Sequence, residues 1–248
     1  KLNEAGLGRA YDFSGNMNHA VNTGATSTAG TYAINYDGSD SYTEIDTDVS
    51  DGLSTQTVAF WFKTSTDQDS TCIMSNGRIY SGTHYLGGWA IGQTAEKIYM
   101  DLYTDNGSGT EARTSWNATT IDHDGTWHHF AFTFNSGTVI CYYDGSVVTG
   151  ASTTYNTLND PTAADDELGS INKITLGQAA HAGPQAWIGS LADVRIYNSV
   201  LTAGNITTLH GTNPTSSGTY PVISGVEPLV WWKLGDAISA NDTTSNNN

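Results

Sequence analysis

Three groups of residues in this sequence have types and spacings that could do chemistry. The stretch Asp12-Phe13-Ser14-Gly15-Asn16-Met17-Asn18-His19 gathers carboxylate, hydroxyl and amide oxygens around a Ser-Gly turn. Side-chain and carbonyl oxygens converge in such a turn, and a hard divalent cation such as calcium takes that donor set. Asp12 and Asn16 are the expected ligands, and Asn18 and the His19 carbonyl could add to them. The competing reading is an Asx turn that holds the loop without metal. The second group is Glu44, Asp46 and Asp48, which alternation would place on one face of a strand. Retaining glycoside hydrolysis needs two carboxyls about 5–5.5 Å apart across the scissile bond. Val49-Ser50-Asp51-Gly52 interrupts that strand at once, and no aromatic residue follows in it to stack on a sugar. The third group is His123, His128 and His129. Adjacent strand residues face opposite ways, so His128 and His129 cannot share one ion, and packed or edge histidines are expected. The sequence holds no Gly-rich phosphate loop, no Cys-x-x-Cys pair and no nucleophile elbow.

Composition narrows the partners. The 248 residues carry 9 basic and 25 acidic side chains, a net charge of −16. Such a surface repels phosphate, so neither nucleic acid nor an anionic membrane surface is an expected partner. No apolar run reaches the roughly 18 residues of a membrane-spanning helix. Thr, Ser, Gly, Asn and Asp dominate the polar residues, a mix that favours turns and strands and reads as an extracellular or virion-surface protein. The chain opens at Lys1 without Met, which reads as a processed or excised chain. Cys72 and Cys141 lie in strand-like runs and are either a disulfide or two buried thiols. No basic residue adjoins either one to activate a nucleophile.

The elements that must position these groups are short strands. In QTVAFWFKT, Val58, Phe60 and Phe62 share one face, with Ala59, Trp61 and Lys63 on the other. In TWHHFAFTF, His128, Phe130, Phe132 and Phe134 oppose Trp127, His129, Ala131 and Thr133. Asp144-Gly145 is a hairpin turn, and Asp37-Gly38-Ser39-Asp40 reads as another. Further strands are expected at 85–93, 97–103, in INKITLGQ and in AWIGSLADVRIYN. LTAGNITTLHG reads as one short helix, capped by Thr202, with an Ile206/Leu209 stripe and an end at Gly211. Ten or more short strands with little helical periodicity predict an all-β, two-sheet antiparallel jelly-roll sandwich with one short C-terminal helix. Residues 1–211 form the domain, 212–225 a linker or strap, and 226–248 a final strand with a polar tail.

Several stretches, taken in order, resemble the laminin-G-like, concanavalin-A-like jelly-roll module. They are YDFSGNMNHAV, YAINYDGSDSYTEID, VAFWFKT, GTWHHFAFTFNSGTVICYYDGSVV and WIGSLADVRIYNSVLTAGNITTLH. The resemblance implies a noncatalytic binding or spacer module with one calcium at its rim, held by Asp12, Asn16 and Asp193. It also implies that Trp61, Trp127 and Trp187 pack the core, leaving Trp89 and Trp116 as the exposed aromatics on which a glycan could stack. Laminarinase-type relatives place a Glu-x-Asp-x-Glu or Glu-x-Asp-x-x-Glu strand on their concave face. Asp48 stands here in the third position, so catalysis is not expected. Asn117, Asn205 and Asn241 lie in Asn-x-Thr sequons, which matter if a eukaryotic secretory pathway makes the chain.

The sequence also echoes itself. Lys1-Leu2-Asn3-Glu4-Ala5 resembles Lys233-Leu234-Gly235-Asp236-Ala237, and the second copy is preceded by Leu229-Val230-Trp231-Trp232. In modules of this kind such a strand comes first, directly before the Asp-x-Ser-Gly segment. It is too apolar to lie free in water, and a sandwich starting at Lys1 would show a bare edge. Three accounts fit: a second module starting near 226, a strand folded back onto its own sandwich, or a strand inserted into another copy. The expectation is the third, with Leu229, Val230, Trp231, Trp232 and Leu234 as the interface of a fibre-forming or adhesive unit. Its partners would be other copies or adjacent modules, with glycans as the alternative ligand.

Overall fold

The computed structural model describes residues 8–27, 31–45, 49, 52–76, 80–81, 84–85, 88–94, 97–105, 111–120, 123–152, 174–179, 185–213 and 218–234. The strands are β1 Arg9–Ala10, β2 Ala20–Thr23, β3 Ile34–Asp37, β4 Tyr42–Ile45, β5 Thr55–Lys63, β6 Thr71–Asn76, β7 Tyr80–Ser81, β8 His84–Tyr85 and β9 Gly88–Thr94. They continue with β10 Lys97–Asp105, β11 Glu111–Thr120, β12 His128–Asn135, β13 Thr138–Tyr143, β14 Ser146–Ser152, β15 Ile174–Leu176, β16 Ile188–Tyr197 and β17 Val230–Trp232. The one helix among the described residues is α1, Ala203–His210. An eight-stranded sheet runs β1-β2-β4-β15-β6-β9-β10-β11, and a seven-stranded sheet runs β14-β13-β12-β5-β16-β17, with β3 also on β16. All pairings are antiparallel, so the expected two-sheet sandwich is present. Strand β11 was not foreseen, because its charged and polar residues mask the alternation.

Alternation fixes the two faces of each strand. Val58, Phe60 and Phe62 of β5 and Phe130, Phe132 and Phe134 of β12 meet Trp89, Ile91, Met100 and Leu176 of the other sheet in one core. The outer face of the seven-stranded sheet is covered in part by α1, where Ile206 and Leu209 pack on Ala59, Ala131, Tyr142 and Ile223. Thr202 caps the helix by accepting from the Asn205 N–H at 3.2 Å, as expected. Asp144 (φ 47°) and Gly145 (φ 75°) make the tight β13–β14 hairpin turn, also as expected.

One expectation fails, and one open choice is decided. Asp37–Asp40 is not a hairpin turn, because β3 pairs with β16 in one sheet and β4 with β2 and β15 in the other. The segment is a corner between sheets. The Asp37 carboxylate accepts from the Ser39 N–H (2.9 Å) and the Ser41 hydroxyl (2.7 Å). Gly38 supplies a left-handed turn (φ 78°). These hydrogen bonds hold the Asp37 carboxyl down at about 2. Cys72 and Cys141 form no disulfide; both are buried free thiols in different sheets. Burial pushes the Cys141 thiol up to about 12, so it stays protonated.

The outer edge of β16 has two tenants. β3 pairs along Ile188–Leu191, and β17 pairs along Val194–Ile196. Between them β16 carries a bulge opposite β5, and Asp193 there adopts φ 48°. The final strand therefore docks within its own chain, with Val230, Trp232 and Leu234 in the inter-sheet core.

Candidate functional site

The expected calcium loop and the expected interface strand meet at one place. Asp12 forms an isolated bridge with Trp232, and the Phe13 N–H donates to the Trp231 carbonyl at 2.8 Å. The Asp12 carboxylate accepts four hydrogen bonds. The Ser14 N–H (2.9 Å) and Trp231 N–H (2.9 Å) donate to Oδ1, and the Ser14 hydroxyl (2.7 Å) and Asn18 N–H (2.9 Å) donate to Oδ2. Three side chains of the same loop converge on one carbonyl oxygen, that of Leu229: Ser14 Oγ at 3.0 Å, Asn16 Nδ2 at 3.1 Å and Asn18 Nδ2 at 2.9 Å. The Asn18 carbonyl in turn accepts from Trp232 Nε1 at 2.8 Å. The Asp12–Asn18 segment is thus a clamp on the last strand. Its polar residues Asp12, Ser14, Asn16 and Asn18 each have a partner on that strand.

Asp193 serves the same strand from the other side. Its left-handed bulge turns the carboxylate toward Arg195, which pairs with it through Nε–Oδ1 (2.7 Å) and Nη2–Oδ2 (2.9 Å). Both are almost wholly buried, at 3% and 2% exposure. Burial works against the charge of Arg195, but the Asp193 carboxylate beside it holds the guanidinium protonated. Trp231 Nε1 donates to Asp193 Oδ1 at 2.7 Å, and the Arg195 guanidinium lies 4.3 Å from the centre of the Trp231 ring. Arg195 Nη1 also donates to the Pro221 carbonyl at 2.6 Å, tying in the 218–225 strap. Lys233 Nζ lies over Phe13 (4.2 Å), Tyr220 (4.8 Å) and Trp231 (5.2 Å).

This geometry separates the three expected ligands. Asp193 does not fit a cation site with Asp12 and Asn16, because its carboxylate is already neutralised by Arg195. Asp12, Ser14, Asn16, Asn18 and the Leu229 carbonyl do converge. A carbonyl oxygen has two lone pairs, yet three side chains aim at that of Leu229. An Asn amide turned about its last bond presents oxygen where nitrogen stood, so this cluster can offer a cation several oxygens.

The remaining candidates disperse. Trp89 is fully buried against Phe132 in the core, so it is no sugar platform. It alternates with Ala90 and shares the inward face of Ile91, a signal the sequence carried. The side chain of Trp116 lies outside the described residues, as do Asp46, Asp48 and the two copies of the terminal echo from Lys1–Ala5 and Gly235–Ala237. Glu44 is described. Its cross-strand row on the outward face of the eight-stranded sheet runs Val21, Glu44, Thr175, Ser75, Ala90, Asp101. Glu44 and Asp101 lie four strand spacings apart, about 19 Å. Paired catalytic carboxyls stand no more than about 9.5 Å apart, so these two cannot flank one glycosidic bond. His128 and His129 face opposite ways as expected. His128 Nδ1 sits 2.9 Å from Asp144 Oδ2, whereas His129 packs under Trp61 and His210. His123 contacts Gln93 at 2.7 Å. Among the described residues no three His, Cys, Asp or Glu side chains gather as a metal cluster, and no helix is long and apolar enough to cross a membrane.

Comparison with known proteins follows the fold. Residues 37–207 match the family described as the concanavalin A-like lectin/glucanases superfamily. No curated protein matches the sequence. Among solved structures, the native heptameric SAP-like pentraxin from Limulus polyphemus is similar with 14% identity and a TM-score of 0.50, over 72% of this chain and 81% of that one. Domain 4 of AbnA, a GH43 extracellular arabinanase from Geobacillus stearothermophilus, in complex with arabinotriose, gives 18% and 0.53 over 82% and 98%. The botulinum neurotoxin serotype D binding domain gives 14% and 0.57 over 84% of this chain and 51% of that one. At such identities the likeness is one of fold.

Proposed function

Because the chain belongs to the concanavalin A-like lectin/glucanases superfamily, we propose that it is a noncatalytic binding module with a structural or adhesive role. It serves in an extracellular fibre, a virion appendage or a multimodular surface protein, and its last strand joins it head to tail with further copies. One observation carries this reading. Val230 and Trp232 are fully buried, yet the ladder holding their strand spans three residues, and much of the remaining grip comes from the Asp12–Asn18 loop. The same contacts can be made by the strand of the same chain or of a neighbour. Within one chain they close a monomer; between chains they add a strand across subunits in a heterologous, open-ended contact. Leu229, Val230, Trp231, Trp232 and Leu234 form the interface.

Sedimentation velocity of the whole chain over a range of concentrations tests this reading. Oligomers that grow with concentration and vanish when 226–248 is deleted support it; assembly that survives the deletion defeats it. A carbohydrate-binding module is the second reading, favoured by the arabinanase domain, whose chain is matched almost end to end. A glycan array without signal, with and without calcium, removes it.

One calcium ion belongs to the proposal, held by Asp12, Asn16, Asn18 and the Leu229 carbonyl. Bound there, it would neutralise the clamp and join it to the strand. Calcium should raise the melting temperature of the wild-type chain and leave Asp12→Asn unmoved. A wild-type melt indifferent to calcium and to chelator contradicts it.

A further inference from the structure

The strand slot has more chemistry than a strand needs. A β-augmentation site takes its affinity from main-chain hydrogen bonds and its specificity from pockets for alternate side chains. Here one residue, Trp231, is held at four points, three of them on its side chain. Its main-chain N–H donates to Asp12 Oδ1 (2.9 Å), and its indole N–H donates to Asp193 Oδ1 (2.7 Å). Its ring face lies on the Arg195 guanidinium (4.3 Å), and Tyr220 meets it edge-on at 5.9 Å. The two charged residues are buried and paired to each other. Asp193 can make this contact because it sits in the left-handed bulge of β16. A buried carboxylate that accepts from an indole is left under-satisfied by any side chain without that N–H. Sites of this kind discriminate strongly against the analogue lacking the donor.

We infer that the slot between the Asp12–Asn18 clamp and the bulge of β16 is a sequence-selective strand receptor that reads the indole N–H of Trp231. Its partner is a strand of this chain's own type, Leu-Val-Trp-Trp-Lys-Leu, from a second copy. This rests on the strand-transfer reading above and adds what selects the strand. The resident strand is the reason for a like partner, because the slot's contacts are made to this sequence: the Leu229 carbonyl accepts from Ser14, Asn16 and Asn18, and the Trp231 indole donates to Asp193.

The test uses the whole chain carrying Trp231→Ala and Trp232→Ala, which weakens the resident strand, and two fluorescent peptides spanning residues 226–234. One has the native sequence; in the other Phe replaces the tryptophan at 231. Polarisation should show the native peptide binding at least about tenfold tighter, the scale of one hydrogen bond to a charged group. Adding Asp193→Asn should shrink that ratio. Equal binding of the two peptides overturns the indole readout and leaves strand transfer standing; binding of neither overturns both. A double-mutant cycle on the otherwise intact chain avoids dependence on the emptied slot. Trp231→Phe and Asp193→Asn should be non-additive in melting temperature, and additivity would refute the inference.

Discussion

Asp12 shows how one carboxylate can look like a metal ligand in sequence and act as a main-chain clamp in structure. Its four hydrogen bonds come from two loop N–H groups, a hydroxyl and the N–H of Trp231, more than two hundred residues away. Asp12→Ala removes both acceptor oxygens and strands four partly buried donors, so a loss of about 3 kcal/mol is expected. Urea unfolding would measure it, and hydrogen exchange at the Trp231 amide should lose protection first; an unchanged midpoint would contradict the assignment. His129 makes a separate prediction. It is buried beneath Trp61 and His210, with Arg195 and Asp144 as the charged groups nearby. Burial, reinforced by His210, pushes its pKa down to about 3 from an ordinary value of 6.5. The unfolded chain therefore takes up a proton that the folded chain refuses, and stability falls as pH drops from about 6.5 toward about 3. Its slope approaches about 1.4 kcal/mol per pH unit. Asp144 works against its own burial through hydrogen bonds from His128 and the His129 N–H, and its carboxyl sits low. Its contribution is lost only at more acid pH. His129→Leu should flatten the melting temperature between pH 6.5 and 5; a slope that persists there contradicts the assignment. The convergence of Asp12, Asn16 and Asn18 was legible, since all three flank one Ser-Gly turn. The role of Asp193 was not read, although the ion pair lies two residues along the same strand in Arg195. A bulge moved its carboxylate, and alternation alone does not signal a bulge.

At the scale of elements, alternation told which face of β5 and β12 is buried, because period two survives any partner choice. It did not tell which sheet a strand joins. Asp37-Gly38-Ser39-Asp40 has the residues of a hairpin turn, but β3 and β4 leave it for different sheets. The corner depends on Gly38, whose φ of 78° suits glycine and whose added Cβ would run into Ile188. Gly38→Ala should therefore cost about 2 kcal/mol or more. Thermal melting checks this, and a neutral result would show that the corner can relax. β17 illustrates the opposite case. Its apolar run made docking necessary from sequence, yet nothing local said that the other side of its slot would be the Asp12 loop, because that contact joins the two ends of the described chain.

For the whole molecule, the two sheets enclose one core that is closed, on the side of β16, by a strand from the far end of the sequence. The structure closes the core with the chain's own last strand, and the proposed function has a neighbour's strand take the same place. The net charge of −16 opposes the approach of copies. Added salt should therefore speed any assembly by screening that repulsion, whereas calcium at the clamp should slow strand exit. The most direct measurement of strand transfer compares the wild-type chain with one whose strand is fastened in place. Ile196→Cys with Val230→Cys joins a cross-strand pair of β16 and β17. Both chains are unfolded, the variant is refolded under oxidising conditions at high concentration, and sedimentation velocity is recorded before and after reduction. The account predicts oligomers for the wild type, monomers for the oxidised variant and recovery of oligomers once the variant is reduced and refolded. Wild-type chains that stay monomeric at every concentration, or oligomers that form with the strand fastened, would contradict it.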